Sequence, residues 1–197
     1  MKNLLLLALL TLGVWITPSN ASLVNGDFEN GNLSGWTTHS CIGNCSSVSW
    51  SVGSSHPAAG TYAARTACVG SACLDPVTGD WIGQTPGGVI SGTAYLFSIL
   101  IDPIQASCSS CEIDIYWGGT LQAAYSSLAS GYMAFPLTLI GGAGDGLNFL
   151  EITGRHDPAT VYIDNVSFES AVPEPISIGL VGCGITAGAL LRRKRRA

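Results

Sequence analysis

Between residues 22 and 171 the chain is a succession of short apolar runs punctuated by glycine, without one long amphipathic helix. This pattern constrains the fold more than any other feature. Chains built this way bury their apolar faces by laying one sheet on another, which predicts an all-β protein with an antiparallel β-sandwich. Ser47-Val48-Ser49-Trp50-Ser51-Val52 alternates strictly, placing Val48, Trp50 and Val52 on one face. Tyr95 to Ile101 is nearly all apolar, the signature of a strand buried on both faces. Ile113-Asp114-Ile115-Tyr116-Trp117 alternates again and ends in the turn Gly118-Gly119. Met133 to Ile140, Asn148 to Ile152 and Thr160 to Phe168 supply further strands, the first two separated by the glycine loop Gly141 to Gly146. At 150 residues, this segment is long enough to enclose one core.

The two ends read as addresses rather than as parts of that fold. Residues 1–21 carry one charge, Lys2, then the apolar run Leu4 to Ile16, then Pro18 and the small triplet Ser19-Asn20-Ala21. Charged, apolar and small in that order predicts a secretory signal helix cut after Ala21, because the apolar run is too short for a membrane span. Residues 172–197 run from Val172-Pro173-Glu174-Pro175 through the apolar stretch Ile176 to Leu191 to the basic cluster Arg192, Arg193, Lys194, Arg195 and Arg196. The stretch predicts a membrane helix whose arginines stay on the cytoplasmic side. In its order of motif, helix and basic cluster the tail resembles the PEP-CTERM sorting signal of certain Gram-negative bacteria. That resemblance implies processing by an exosortase-type enzyme, after transient anchoring in the inner membrane, and delivery to the cell surface or beyond.

The charge on the central segment is lopsided. Twelve carboxylates face two guanidinium groups, Arg65 and Arg155, and no lysine. That balance excludes nucleic acid as a partner, since phosphate binding needs basic side chains. It also leaves carboxylates short of protein cations. Asn25-Gly26-Asp27-Phe28-Glu29, if extended, points Asn25, Asp27 and Glu29 one way and Phe28 the other. In Tyr162-Ile163-Asp164-Asn165-Val166, Asp164 shares parity with Tyr162, Val166 and Phe168, an otherwise apolar face. A carboxylate there needs a partner, and a hard cation such as calcium, which takes several oxygen ligands, fits that need. The alternative is that these carboxylates are solvated or capped by backbone N–H groups.

These same segments, Leu23 to Trp36 and Val161 to Phe168, resemble the galactose-binding-like jelly roll of carbohydrate-binding modules appended to xylanases and cellulases. The resemblance implies a structural calcium held by Glu29, Asp164 and, departing from the usual residue at its position, Asp27. It also implies polysaccharide as the ligand. Sugar binding needs an aromatic platform with polar side chains beside it. Parity assigns Trp50 and Trp117 to the core and turns Asp114, Tyr116, Gln122 and Glu151 outward. With Trp81, which has no decisive alternation, these form the candidate ligand surface. A purely structural matrix or adhesion role is the competing reading. Catalysis comes third, since only Asp114 and Glu151 could pair as glycosidase carboxylates.

Six cysteines fall in three local pairs, Cys41/Cys45, Cys68/Cys73 and Cys108/Cys111. In an exported chain they are most simply disulfides. A zinc site would require two of these pairs to converge, and a redox motif would need a helix start that the pattern lacks. Cys183 belongs to the apolar tail.

Overall fold

The computed structural model describes residues 21–42, 45, 49–104, 111–155 and 160–171, all within a compact unit Asn20–Val172. The proposed signal helix and sorting tail lie outside the described residues. Among the described residues no helix is long and apolar enough to cross a membrane.

Two five-stranded antiparallel sheets face each other. The first has the order β1-β4-β9-β6-β7, formed by Thr37–His39, Trp81–Gln84, Leu150–Arg155, Glu112–Trp117 and Thr120–Ser126. The second has the order β2-β3-β10-β5-β8, formed by Ser51–Gly53, Ala63–Thr66, Val161–Ser170, Ala94–Pro103 and Met133–Ile140. Non-sequential neighbours in both sheets mean that crossovers stitch them together, as in a jelly roll. The core is the layer between the sheets. Ile82, Ile152 and Ile115 stand in one row of the first sheet, and Ile163, Ile101, Phe97 and Phe168 come from the second. Phe168 closes the layer by stacking on Trp117, at 5.2 Å between ring centroids, and on Tyr95, at 4.8 Å.

Strand β5 departs from its expected burial on both faces. Tyr95, Phe97, Ile99 and Ile101 are buried while Leu96 is 52% exposed, so one face of this strand is open at that end. Strand β10 departs more consequentially. Its pairing with β5 is regular up to Asp164↔Leu100 and resumes at Ser167↔Ser98, with a bulge between. Such an insertion reverses the alternation beyond it. Tyr162 and Asp164 therefore look outward while Phe168 looks into the core, and the shared parity expected of them is broken.

The segment Asn25 to Glu29 is likewise not extended. Asn25 and Phe28 sit in the left-handed region, at φ 53° and 56°, and the chain turns tightly around them. Asn25 explains the turn. Its Nδ2 donates to the carbonyls of Asn32 and Ser34, its Oδ1 accepts the Asn30 N–H, and its carbonyl accepts the Trp36 indole N–H. The turn buries Phe28 against Trp36, at 5.7 Å between ring centroids. It also packs onto β10. The Gly26 carbonyl accepts the Val166 N–H at 2.8 Å, and a Cβ at Gly26 would lie 2.1 Å from the Val166 oxygen. Only glycine permits that approach.

Two disulfides, Cys41–Cys45 and Cys68–Cys73, staple loops beside the first sheet. Cys111 is disulfide-bonded as well, while Cys108 lies outside the described residues.

Candidate functional site

Two clusters of carboxylates stand on opposite outer faces of the sandwich. On the second sheet, Asp164 is 1% exposed beneath the loop that joins β2 to β3. Its Oδ2 accepts the N–H groups of Ala58 and Ala59, at 2.9 and 3.2 Å, and its Oδ1 accepts that of Asn165, at 2.6 Å. Glu29 grips the far end of the same loop. Its Oε1 accepts the N–H groups of Thr61 and Tyr62, both at 2.9 Å, and its Oε2 accepts that of Thr61, at 3.0 Å. Gly60, at φ +65°, makes this possible, because a Cβ there would lie 2.4 Å from the Glu29 carboxylate. Asp27 stays apart, exposed, with its Oδ1 accepting the Glu29 N–H at 3.4 Å.

Burial raises the Asp164 pKa above the ordinary carboxylate range; its three backbone donors oppose the shift, and repulsion from Glu29 adds to it. The two described guanidinium groups are engaged elsewhere: Arg65 Nε donates to Ser51 Oγ, and Arg155 pairs with Glu112 at 3.3 Å. A carboxylate offers about four lone-pair positions. Asp164, with three donors, keeps about one, and Glu29, with two donors of which Thr61 spans both oxygens, keeps one or two. Neither carboxylate faces a guanidinium. A divalent cation fits both the charge and the remaining lone pairs.

The same loop is tied down a third time. His56 Nε2 lies 2.6 Å from Oδ2 of buried Asp102, whose Oδ1 accepts the Gly131 N–H. Tyr132 donates to the His56 carbonyl at 2.6 Å, and Ser55 and Tyr162 share a hydrogen bond. Sequence reasoning missed Asp102 and His56, because Asp102 reads as the end of an apolar strand and His56 as a loop residue.

On the first sheet the register brings four of the five predicted ligand residues together. Trp81, Thr153 and Asp114 form one cross-strand row, and Gly83, Glu151 and Tyr116 form the next on the same face. Gln122 lies at the bulge of β7 and is exposed, its Nε2 donating to the Thr120 carbonyl. The expected exposed platform is not what stands there. Tyr116 is 9% exposed, Glu151 7% and Asp114 5%. A flap, Cys68 to Asp80, lies over them. Its short 3₁₀ turn Ser71–Leu74 packs on β9 and β6, and Tyr116 donates to the Leu74 carbonyl at 3.1 Å. Asp75 shapes the flap's return by accepting the N–H groups of Val77 and Thr78. Trp81 is also covered, stacked 5.2 Å from His39 and meeting Phe149 edge-on.

Burial without compensation gives this face its character. It pushes Glu151 up to about 7, with Asp75 adding repulsion, and Asp114 up to about 6, with Glu112 adding repulsion and Arg155 opposing it. Four buried polar atoms here have no hydrogen-bond partner: Trp81 Nε1, Asp114 Oδ1, Glu151 Oε1 and Thr153 Oγ1.

No protein-family model and no curated protein matches the chain. Solved structures do. The CBM22-1 xylan-binding domain from Paenibacillus barcinonensis Xyn10C superimposes at TM-score 0.52 and 15% identity over 80% of this chain and 99% of that one. A CBM4 module matches at TM-score 0.50 and 15% identity over 76% of this chain and 99% of its own. The chain has the sandwich fold of carbohydrate-binding modules. In the Clostridium thermocellum endo-1,4-beta-D-xylanase 10B CBM22-1–GH10 structure the similarity is at TM-score 0.54 and 14% identity. It covers 77% of this chain but 29% of that one, so it spans under a third of that enzyme chain. At such identities the likeness concerns the fold alone.

Proposed function

We propose that this chain is an exported, non-catalytic polysaccharide-binding module, with its ligand face on β4, β9 and β6. The supporting observation is the set of unpartnered buried atoms on that face, Trp81 Nε1, Asp114 Oδ1, Glu151 Oε1 and Thr153 Oγ1. Leaving such atoms unpaired costs about 1–3 kcal/mol each, and sugar hydroxyls, which both donate and accept, would satisfy them. Glu151 and Asp114, held partly protonated by burial, can each donate as well as accept. Entry requires the flap to yield its Tyr116–Leu74 hydrogen bond, so binding is coupled to loop movement.

The test is affinity electrophoresis of the full chain in detergent against neutral polysaccharides, xylan and β-glucan among them. Trp81→Ala and Tyr116→Ala are expected to weaken retention at least tenfold. Retention by no polysaccharide favours the structural matrix reading, and retention indifferent to both substitutions removes this face as the site.

Calcium at Glu29 and Asp164 belongs to the same proposal. Such an ion would clasp the β2–β3 loop to the N-terminal turn and take no part in ligand chemistry. EDTA is then expected to lower the melting temperature by about 5–10 °C, with recovery on adding calcium, by the usual linkage of binding to stability. A melting curve indifferent to EDTA overturns the metal. Export completes the proposal: removal of residues 1–21 and exosortase-type cutting near Val172 to Pro175 predict two definite losses in the intact mass of the protein recovered from outside its host cell.

A further inference from the structure

The two stapled loops need not have met. Cys41 and Cys45 are four residues apart and Cys68 and Cys73 five, so each disulfide closes its own loop wherever that loop lies. Yet the sulfurs of Cys41, Cys45 and Cys68 all lie within 4.8 Å of one another, and Cys73 Sγ is bonded to that of Cys68. Three sulfurs from two loops thus share one small volume, with the fourth, Cys73 Sγ, one bond away. Cys68 and Cys73 are fully buried and Cys41 and Cys45 half-buried. The loops also touch through the backbone, the Ile42 N–H donating to the Thr78 carbonyl at 2.8 Å.

We propose that, in the reduced chain, Cys41, Cys45, Cys68 and Cys73 bind one zinc ion as a tetrathiolate. The C-x₃-C and C-x₄-C spacings lie within the range that structural zinc sites use. Zinc–sulfur bonds of about 2.3 Å in a tetrahedron put the sulfurs about 3.8 Å apart. That spacing fits the separation of Cys41, Cys45 and Cys68, and Cys73 Sγ would complete it once its bond to Cys68 is reduced. Sulfur donors select a soft or borderline cation over calcium or magnesium. Binding moves no electrons: four thiols and Zn²⁺ give the tetrathiolate and four protons. The two disulfides are the alternative, oxidised state of the same four atoms.

The consequence is mechanical. Each disulfide ties a loop to itself, whereas the metal ties the Cys41–Cys45 loop to the flap that covers Glu151 and Tyr116. It would also hold four of the chain's seven cysteines out of wrong pairings before oxidation.

The full chain, reduced with a phosphine and purified anaerobically in detergent, is loaded with zinc, desalted and assayed for metal. About one zinc per chain is expected, falling to background in Cys41→Ser/Cys45→Ser and persisting in Cys108→Ser/Cys111→Ser. Cys45→His is the decisive variant, since it keeps a zinc ligand but cannot form a disulfide with Cys41; it should retain the metal. Cobalt loading of the wild-type protein gives a readout independent of any variant's folding: intense thiolate-to-cobalt charge transfer is expected. Weak octahedral spectra, background zinc in the reduced wild type, or zinc unaffected by loss of Cys41 and Cys45 would each overturn the proposal.

Discussion

Asp164→Ala should destabilise the domain by about 3–5 kcal/mol, lowering its melting temperature by about 10 °C or more. The carboxylate is almost wholly buried and accepts three backbone N–H groups, from Ala58, Ala59 and Asn165. Alanine leaves all three without their acceptor. Relief of the repulsion from Glu29 offsets part of the loss. Asp164→Asn should cost less, because Oδ1 keeps its place opposite Asn165 while the amide meets the Ala58 and Ala59 donors badly. Thermal melts of both variants, with and without EDTA, separate two roles. If a cation contributes, the alanine variant loses its EDTA response along with its stability. A loss below about 1 kcal/mol would show that the β2–β3 loop does not depend on this side chain.

The second large effect is on pH dependence. Burial holds Glu151 at about 7 and Asp114 and Asp80 each at about 6, against ordinary values of 4.5, 3.8 and 3.8. Thr66 donates to Asp80 Oδ2 at 2.6 Å, which tempers that shift without cancelling it. Folded-state values above unfolded ones mean that the native protein binds the extra protons. Stability therefore declines as pH rises from about 4 to about 7, the reverse of a protein held by ion-paired carboxylates. Each group contributes at most about 3 kcal/mol. A melting temperature about 10 °C higher at pH 5 than at pH 7.5 is expected, at roughly 3 °C per kcal/mol for a domain of this size. Glu151→Gln should flatten the upper part of that slope. Asp75 works in the opposite sense, since hydrogen bonds from Thr78 and Val77 lower its pKa, but its effect falls below this window. A profile flat between pH 5 and 7.5 would show that these carboxylates are solvated.

Most strands that alternate over five or more residues were legible, because a half-buried sheet writes its period directly into the chain. Of the alternating run Ser47 to Val52, however, only Ser51 and Val52 fall in a strand, β2, with Ser49 and Trp50 preceding it and residues 46–48 outside the described residues. Strand β8 runs from Met133 to Ile140, as its pattern predicts, and β6 differs from its pattern by the addition of Glu112. The short strands β1, β3 and β4 were not legible: Ala63 to Thr66 and Trp81 to Gln84 are too brief to show a period, and neighbours supply their order. Parity placed Asp114, Tyr116 and Glu151 away from the core correctly but could not tell outward from exposed, because the covering flap arrives from elsewhere in the sequence. Spacing paired Cys41 with Cys45 and Cys68 with Cys73 and said nothing of whether the two pairs would meet. The bulge in β10 leaves no compositional trace, so strict alternation puts Asp164 on the wrong side of its strand.

That one surplus residue lets a single strand serve two masters. Upstream of it, the chain offers an acid to the roof of the sandwich; downstream, it sends an aromatic ring into the interior. Were the count between Asp164 and Phe168 shortened by one, the ring would swing to water or the acid would be driven into hydrocarbon. The spacing of these two residues is thus as much a part of the architecture as their identity, and length variation in this stretch should be tolerated far less than substitution.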